Sequence, residues 1–263
     1  MTPCVLALGG HDFTSQPPDR ALGELLLRLA TERAAGRPRI SLLTVDDPEM
    51  AARVGRFHSA FEARPCDSSA ISLPELAGRR QELRDRLLAQ DLIYVSGADL
   101  HGLLGTWDAT RLGEILTLAW RRGIVLAGES AGAMCWFDAG ITSSSGHAEP
   151  GAGLGLLGGS LCVHYSSEPD RREAYLQAVA DGMPDGYGID DHAGLIWDGG
   201  PSPFAVTARR GARAYRVAAR ETGVAESPLP ARFLPAPAPS VMREDIAEFR
   251  RIRSIRRRAG WPS

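Results

Sequence analysis

Strand-length apolar runs alternate with helix-period segments through the first half of the chain, and this alternation restricts the fold more than any other feature. "VLALGG" (5–10), "RISLLTV" (39–45), "AISLPEL" (70–76), "DLIYVSG" (91–97) and "GIVLAGES" (123–130) are short apolar runs. Between them lie "ALGELLLRLATERA" (21–34), "PEMAARVGRFHSAFEA" (48–63), "RRQELRDRLLAQ" (79–90) and "RLGEILTLAWRRG" (111–123), with apolar residues at helical spacing. Strand, helix, strand, helix at this spacing builds crossover units, and crossover units make a parallel sheet. Such a sheet is covered on both faces, so its strands are apolar throughout. The expected fold is α/β, a mainly parallel sheet with helices on both faces.

The second half changes character. A Gly- and Ser-rich stretch at 139–160 precedes one helical segment at 168–180, followed by the β-like pieces "YGIDDHAGLIW", "PFAVTARR" and "ARAYRVAA". These read as the far edge of the same sheet. A Pro-rich link, "PLPARFLPAPAPS" (228–240), leads to a last helix at 241–258, with Ser240 in place to cap it. The expected organisation is one α/β domain over 1–234 and a linker with a basic C-terminal helix over 235–263. That helix holds seven Arg against three acids, and Met242, Ile246, Phe249 and Ile252 give it one apolar face. Such a face packs on the body or on a second subunit, which leaves a homodimer open.

A chain of 263 residues has room for one large α/β domain or two small ones. Its formal net charge of -2 supplies no global attraction to nucleic acid or to an acidic membrane surface. No apolar stretch approaches the roughly 18 residues of a membrane span, and "MTPCVLALGGHD" reads as a first strand and not as a signal peptide. Cys4, Cys66, Cys135 and Cys162 lack CxxC spacing, so neither a disulfide framework nor a zinc ribbon is indicated. A cytoplasmic protein is expected, with no metal, no cofactor, and no nucleic-acid or membrane partner. All thirty basic residues are Arg, and the chain contains no Lys and no Asn. That bias points to the genome more than to function.

"GIVLAGESAGAMCWF" places Ser130 at a strand-to-helix corner. Gly128, Glu129, Ser130, Ala131 and Gly132 match G-x-S-x-G, in which small neighbours let the chain turn sharply and expose the hydroxyl at the carboxyl end of the sheet. There the Ala131 N–H points at a developing oxyanion, helped by the helix N-terminus. A nucleophilic hydroxyl needs a base, and the chain has six histidines: His11, His58, His101, His147, His164 and His192. An α/β-hydrolase orders its triad Ser, acid, His, with the His well downstream; nothing after His192 is a histidine, which argues against that fold. His164, at the end of the apolar "LLGGSLCVHY", is placed as a base; His101, after "DLIYVSG", is its rival. The orienting acid is Asp190 or Asp191 of "YGIDDHAGLIW", since charges in an otherwise apolar strand are costly unless paired or at a turn.

Together these blocks resemble the peptidase E family, serine exopeptidases that include the aspartyl dipeptidases, are related to cyanophycinases and have a glutamine amidotransferase-like α/β fold. The resemblance spans roughly residues 3 to 234. It rests on "LALGG", "DLIYVSGADLHGLLGTW", "AWRRGIVLAGESAGAMCWFDAG", "GLGLLGGSLCVHYSSEPDRREAY", "GYGIDDHAGL" and "ARAYRV", in that order. It implies Ser130 as nucleophile, His164 as base and Asp191, where the aspartyl dipeptidases carry Glu, as third member. It further implies an oxyanion hole from the N–H groups of Ala131 and of Gly97 or Ala98, and a short peptide substrate cut from its N-terminal end.

Three positions depart from the family pattern. The usual "GGGN" turn is Ser96, Gly97, Ala98 and Asp99 here, and the charge on Asp99 would favour a substrate's free amino group. Ser143 stands where many members have an Asp, and His192 where a Gly is usual. Arg171 and Arg172 are candidates to pair with a substrate carboxylate. Two other readings stay open: an α/β-hydrolase-type esterase using His192, and a degenerate member that binds a peptide or amino acid without turnover.

Overall fold

The computed structural model describes residues 2–45, 48–97 and 99–235. The helix expected at 241–258 lies outside the described residues.

The first half folds as its periodicity dictates. β1 (Val5–Leu8), α1 (Arg20–Thr31), β2 (Arg39–Thr44), α2 (Met50–Phe61), β3 (Asp67–Ser72), α3 (Arg80–Leu88), β4 (Leu92–Val95), α4 (Leu100–Thr110), α5 (Leu112–Arg121) and β5 (Val125–Glu129) follow in turn. β1, β5, β4, β2 and β3 pair in parallel in that spatial order. Successive residues of β1 serve opposite faces. Leu6 and Leu8 pack with Leu22 and Leu26 of α1 and Phe57 and Phe61 of α2. Val5 and Ala7 share the other core with Leu87 of α3, Trp107 of α4 and Leu116 of α5.

α4 was not anticipated. Gly102 and Gly105 weaken its intrinsic helicity, and two features of its context hold it. The Asp99 carboxylate caps its first turn by accepting from the N–H groups of His101 (3.2 Å) and Gly102 (2.8 Å). Leu100, Leu103 and Trp107, one helix face, are buried.

The second half departs from expectation. α6 (Ala131–Met134) is a single turn, after which come β6 (Phe137–Thr142), β7 (Glu149–Ala152), β8 (Leu157–Val163), α7 (Pro169–Ala180), β9 (Gly186–Ile189), β10 (Ala193–Trp197), β11 (Phe204–Thr207), β12 (Ala214–Arg220), β13 (Gly223–Pro228) and β14 (Ala231–Phe233). Only β10, β11 and β14 extend the first sheet past β1; β13, β12, β9, β8, β6 and β7 form a second, six-stranded sheet. The segment "YGIDDHAGLIW" therefore contributes one strand to each sheet, with the Asp190–Asp191 pair at the crossing. That explains two carboxylates inside an apolar run: they occupy a turn between sheets.

Tight backbone approaches at the carboxyl end of the first sheet hold the layers together. A Cβ on Gly128 would stand 2.0 Å from the Gly132 carbonyl oxygen, and one on Gly132 would stand 2.2 Å from that of Val95. A Cβ on Gly9 would meet the Asp190 carbonyl oxygen at 2.2 Å. Gly9→Ala is expected to lower Tm by at least about 6 °C in a circular-dichroism melt, a loss of about 3 kcal/mol or more. Gly36→Ala, where an added Cβ meets nothing within 4 Å, is expected to change stability by less than about 0.5 kcal/mol.

Candidate active site

The site is assembled on the backbone just beyond β1. The Leu8 carbonyl accepts from the Ser130 N–H (3.1 Å), that of Gly9 from the His164 N–H (3.2 Å) and that of Gly10 from the His192 N–H (2.9 Å). Three chain segments are thereby set beside one another. Gly10 has φ +152, and a Cβ there would lie 2.3 Å from both Asp191 Oδ1 and His164 Cε1. Only a glycine leaves room for those two side chains to meet.

Ser130 has φ 55 and ψ −120, outside the ordinary helical and extended regions. Of the five described non-glycine residues with positive φ, four are His11, Ser130, His164 and His192. Unfavourable backbone is thus concentrated here, at about 1–3 kcal/mol per residue. It aims the side chains: Ser130 Oγ lies 3.0 Å from His164 Nε2, and His164 Nδ1 lies 2.6 Å from Asp191 Oδ1. With the carboxylate accepting the Nδ1 proton, Nε2 is left as the acceptor for the serine hydroxyl. The other Asp191 oxygen accepts from Ser167 Oγ at 2.7 Å, and His11 Nε2 stands 3.9 Å from it. Burial pushes the Asp191 carboxyl up, but the hydrogen bonds from His164 and Ser167, with the imidazole charges, outweigh it and hold the group below its ordinary range. Asp190 takes a different part, accepting from Ser166 Oγ (2.6 Å) and the Arg213 N–H (2.9 Å).

The remaining anticipated residues divide. Ala131 opens α6, so its N–H has no acceptor within the helix. A single turn carries little macrodipole, so the helix-dipole contribution expected there is small. Gly97 lies beside Ser130, with its N–H donated to Glu129 Oε2 at 3.3 Å; Ala98 lies outside the described residues. Asp99 spends both oxygens capping α4, and its carboxyl is held low first by a hydrogen bond from Ser144 and then by those cap bonds. Arg172 is committed to Glu226 through bonds of 2.9 and 2.8 Å, and Arg171 is buried against Ser143 Oγ (3.0 Å) and Glu168 (3.0 Å). His192 binds Asp19, the N-cap of α1, at 2.9 Å, so the base expected of an esterase is engaged elsewhere. His101, the rival base, is exposed on α4.

Beside Ser130 opens a cavity of about 270 Å3, lined by Thr14, Ser15, Arg53, Arg56, Gly97 and Glu129. None of the two arginines, Glu129 or the neighbouring Asp12 was singled out from the sequence. Asp12 is fully buried, accepts from the Thr14 N–H (2.7 Å) and Oγ (2.8 Å), and is bonded to Tyr94 Oη. Burial first, and then the charge of Glu129, push its carboxyl up to about 8. A signal was available in its position two residues past the glycines that end β1, where open α/β sheets place their ligands. A larger depression, about 520 Å3, opens at the opposite end of β1 around Thr2, Cys4 and Arg33 and contains none of these groups. No group of three or more metal-ligating side chains occurs among the described residues. No helix among the described residues is long and apolar enough to cross a membrane.

A strained serine at the end of a parallel strand, in line with a histidine and a carboxylate on a mixed α/β scaffold, defines the class: an α/β enzyme with a serine, histidine and carboxylate array. Comparison with known proteins gives the family. The family model described as "Peptidase family S51" matches residues 45–202. An "Uncharacterized peptidase YgaJ" of Bacillus subtilis (strain 168) is 36% identical over 231 residues, 88% of this chain and 98% of that protein. Two solved structures share the fold. A peptidase from an acI-B1 Actinobacterium has a TM-score of 0.66 at 17% identity, covering 88% of this chain and 95% of its own. A Listeria monocytogenes EGD-e protein described as a candidate peptidase E has a TM-score of 0.59 at 16% identity, covering 80% and 100%. The chain belongs to peptidase family S51 and is a peptidase.

The raised Asp12 carboxyl makes a testable contribution to stability. The folded protein keeps a proton on Asp12 that the unfolded chain releases above its ordinary value of 3.8. Between that pH and about 8 the folded state binds more protons, so stability falls as pH rises, by at most about 1.4 kcal/mol per pH unit from this group. Asp12→Asn, which mimics the protonated acid, is expected to flatten the pH dependence between 5 and 8 in urea unfolding; an unchanged slope would remove Asp12 from that role.

Proposed function

We propose that the protein is a serine exopeptidase that hydrolyses short peptides from the N-terminal end, with a preference for Asp-X dipeptides. The observation that carries this reading is the continuous relay from Ser130 Oγ through the His164 ring to Asp191. Ser130 Oγ attacks the scissile carbonyl while His164 Nε2 takes its proton. The imidazolium then returns the proton to the leaving amine, and water repeats the sequence on the acyl-enzyme. Asp191 holds the tautomer and stabilises the imidazolium. The N–H groups of Ala131 and Gly97 bind the oxyanion; the long 3.3 Å bond from Gly97 to Glu129 is readily exchanged for it.

Arg56 supports the acidic preference. It lines the cavity beside the nucleophile, and its buried Nε has no hydrogen-bond partner among the described residues. Arg53, by contrast, is bonded to the Gly97 carbonyl and ion-paired with Glu49 at 3.7 Å. A substrate carboxylate entering this space meets a guanidinium with donors to spare. The four cysteines are free and buried, which supports a reducing, cytoplasmic setting.

Assays of Asp-Leu, neutral dipeptides and the matching p-nitroanilides test the reading. Wild type is expected to cleave Asp-X best, and Ser130→Ala or His164→Ala to lose about 10^3-fold or more in kcat/KM. Asp191→Asn is expected to lose about 10^2- to 10^4-fold. A fluorophosphonate should label Ser130 in the wild type; wild type and Ser130→Ala equally inert and unlabelled would dispose of the serine mechanism.

Arg56→Gln is expected to reduce kcat/KM for Asp-X about 10- to 100-fold with little change for neutral dipeptides. An unchanged ratio would place the acid-recognising group elsewhere.

A further inference from the structure

We propose that Glu129 is the residue that selects a free N-terminus: its carboxylate receives the substrate's α-ammonium, and in doing so releases the Gly97 N–H to the oxyanion. This rests on the exopeptidase reading above, which names an end of the substrate but leaves open which group recognises it.

Glu129 is the one acidic side chain among the residues lining the cavity beside Ser130. Asp12, its acidic neighbour, is fully buried, and its carboxyl is pushed up, first by burial and then by the charge of Glu129. It does not line the cavity, so Glu129 is the carboxyl group that faces an entering substrate. Arg53 and Arg56 repel an ammonium, and Thr14 and Ser15 are neutral. A cation entering here has one counter-charge available.

The spacing suits the task. A Cβ built on Gly97 would lie 3.1 Å from Glu129 Oε2 and 3.1 Å from Ser130 Cβ, so the carboxylate is at most twice that distance from Ser130 Cβ, with Oγ at most one bond further. In any peptide the α-nitrogen lies two bonds, about 2.5 Å, from the carbonyl carbon of its own residue. With that carbon about 3 Å from Oγ, the ammonium of the N-terminal residue has the reach to form a charge-assisted hydrogen bond, about 2.8 Å, with Glu129. An internal residue of a longer chain presents a neutral amide there and gains nothing from the charge.

The Gly97 N–H makes the contact more than a tether. Without substrate it is donated to Glu129 Oε2, which places the carboxylate on a group that the oxyanion requires. Neutralisation of Glu129 by an ammonium weakens its hold on that N–H at the moment the carbonyl arrives. A blocked N-terminus leaves the carboxylate where it was, opposing negative charge on the oxyanion.

The test compares Asp-Leu p-nitroanilide and Ala-Leu p-nitroanilide with their N-acetyl forms, and the corresponding aminoacyl p-nitroanilides with theirs. In the wild type, free-amine aminoacyl substrates should be favoured over acetylated ones by about 100-fold or more in kcat/KM. Glu129→Gln should raise KM for the free-amine substrates about 10- to 100-fold, and both Glu129→Gln and Glu129→Ala, which remove the charge opposing the oxyanion, should raise turnover of the acetylated ones. A free-to-acetylated ratio equal to wild type in both variants would overturn the proposal, as would a wild type that ignores acetylation. A binding arm separates this from failure of the peptidase reading. Calorimetric titration of Asp-Leu and N-acetyl-Asp-Leu into Ser130→Ala, with and without Glu129→Gln, reads recognition without turnover. Weaker Asp-Leu binding on Glu129→Gln, with N-acetyl-Asp-Leu unchanged, supports the assignment even if hydrolysis is never seen; equal binding refutes it.

Discussion

Three amides from distant parts of the chain, those of Ser130, His164 and His192, end on the successive carbonyls of Leu8, Gly9 and Gly10. Each such bond is worth only about 1 kcal/mol in net stability, but their order sets the positions of Ser130, His164 and Asp191 relative to one another. The strand that carries them lies between a parallel neighbour, β5, and an antiparallel one, β10. Ser130 therefore follows β5 and Asp191 precedes β10, one on each side of the same anchor. His164 arrives from the second sheet, at the end of β8. The junction of the two sheets is thus where the array forms.

That convergence demands close approach, and glycines supply it. Gly9 lies against the Asp190 carbonyl, Gly10 against the His164 ring and Asp191, and Gly132 against the Val95 carbonyl. The cost appears as strain in the residues of this junction that are not glycine. Ser130 and His164 sit at φ 55 and 54, where a Cβ is crowded. Each such residue is kept in place by a hydrogen bond from its own N–H to the β1 extension. The local cost is offset by a scaffold whose two cores, on opposite faces of the first sheet, bury Leu6 and Leu8 on one side and Val5 and Ala7 on the other.

Periodicity made the first sheet legible because it reports which face of an element is buried. It does not report which sheet a strand joins. β9 and β10 are equally apolar, are separated by three residues and lie in different sheets, so reading both as one far edge was the natural error. α4 escaped for a different reason: its glycines mask a helix that the Asp99 cap and Trp107 sustain. At the site, Ser130 announces itself through a local motif, and His164 through the shortage of histidines. The choice between Asp190 and Asp191 came from the family resemblance. Glu129 and the two arginines were invisible, and Asp12 was marked only by its place past the β1 glycines, since their significance lies in contacts such as Tyr94 with Asp12, 82 positions apart.

The carboxylates around Ser130 are tuned in opposite directions, and the tuning follows from what each one faces. Asp191 meets an imidazole and the Ser167 hydroxyl, which stabilise its charge against the burial that opposes it. Asp12 meets burial and another carboxylate, which push its carboxyl up against the hydrogen bonds from Thr14 and Tyr94 and the charge of Arg53. Environments that push acids apart in this way give them separate tasks. Asp191 is an anion that orients and stabilises a histidine. Asp12 is a buried support that accepts from Tyr94 and Thr14. Glu129, between the buried acid and the nucleophile, faces the cavity with guanidinium groups as its cationic neighbours. Anionic and cationic side chains therefore stand side by side within one small space, which is the pattern an N-terminal acidic residue, with ammonium and carboxylate on adjacent carbons, would match.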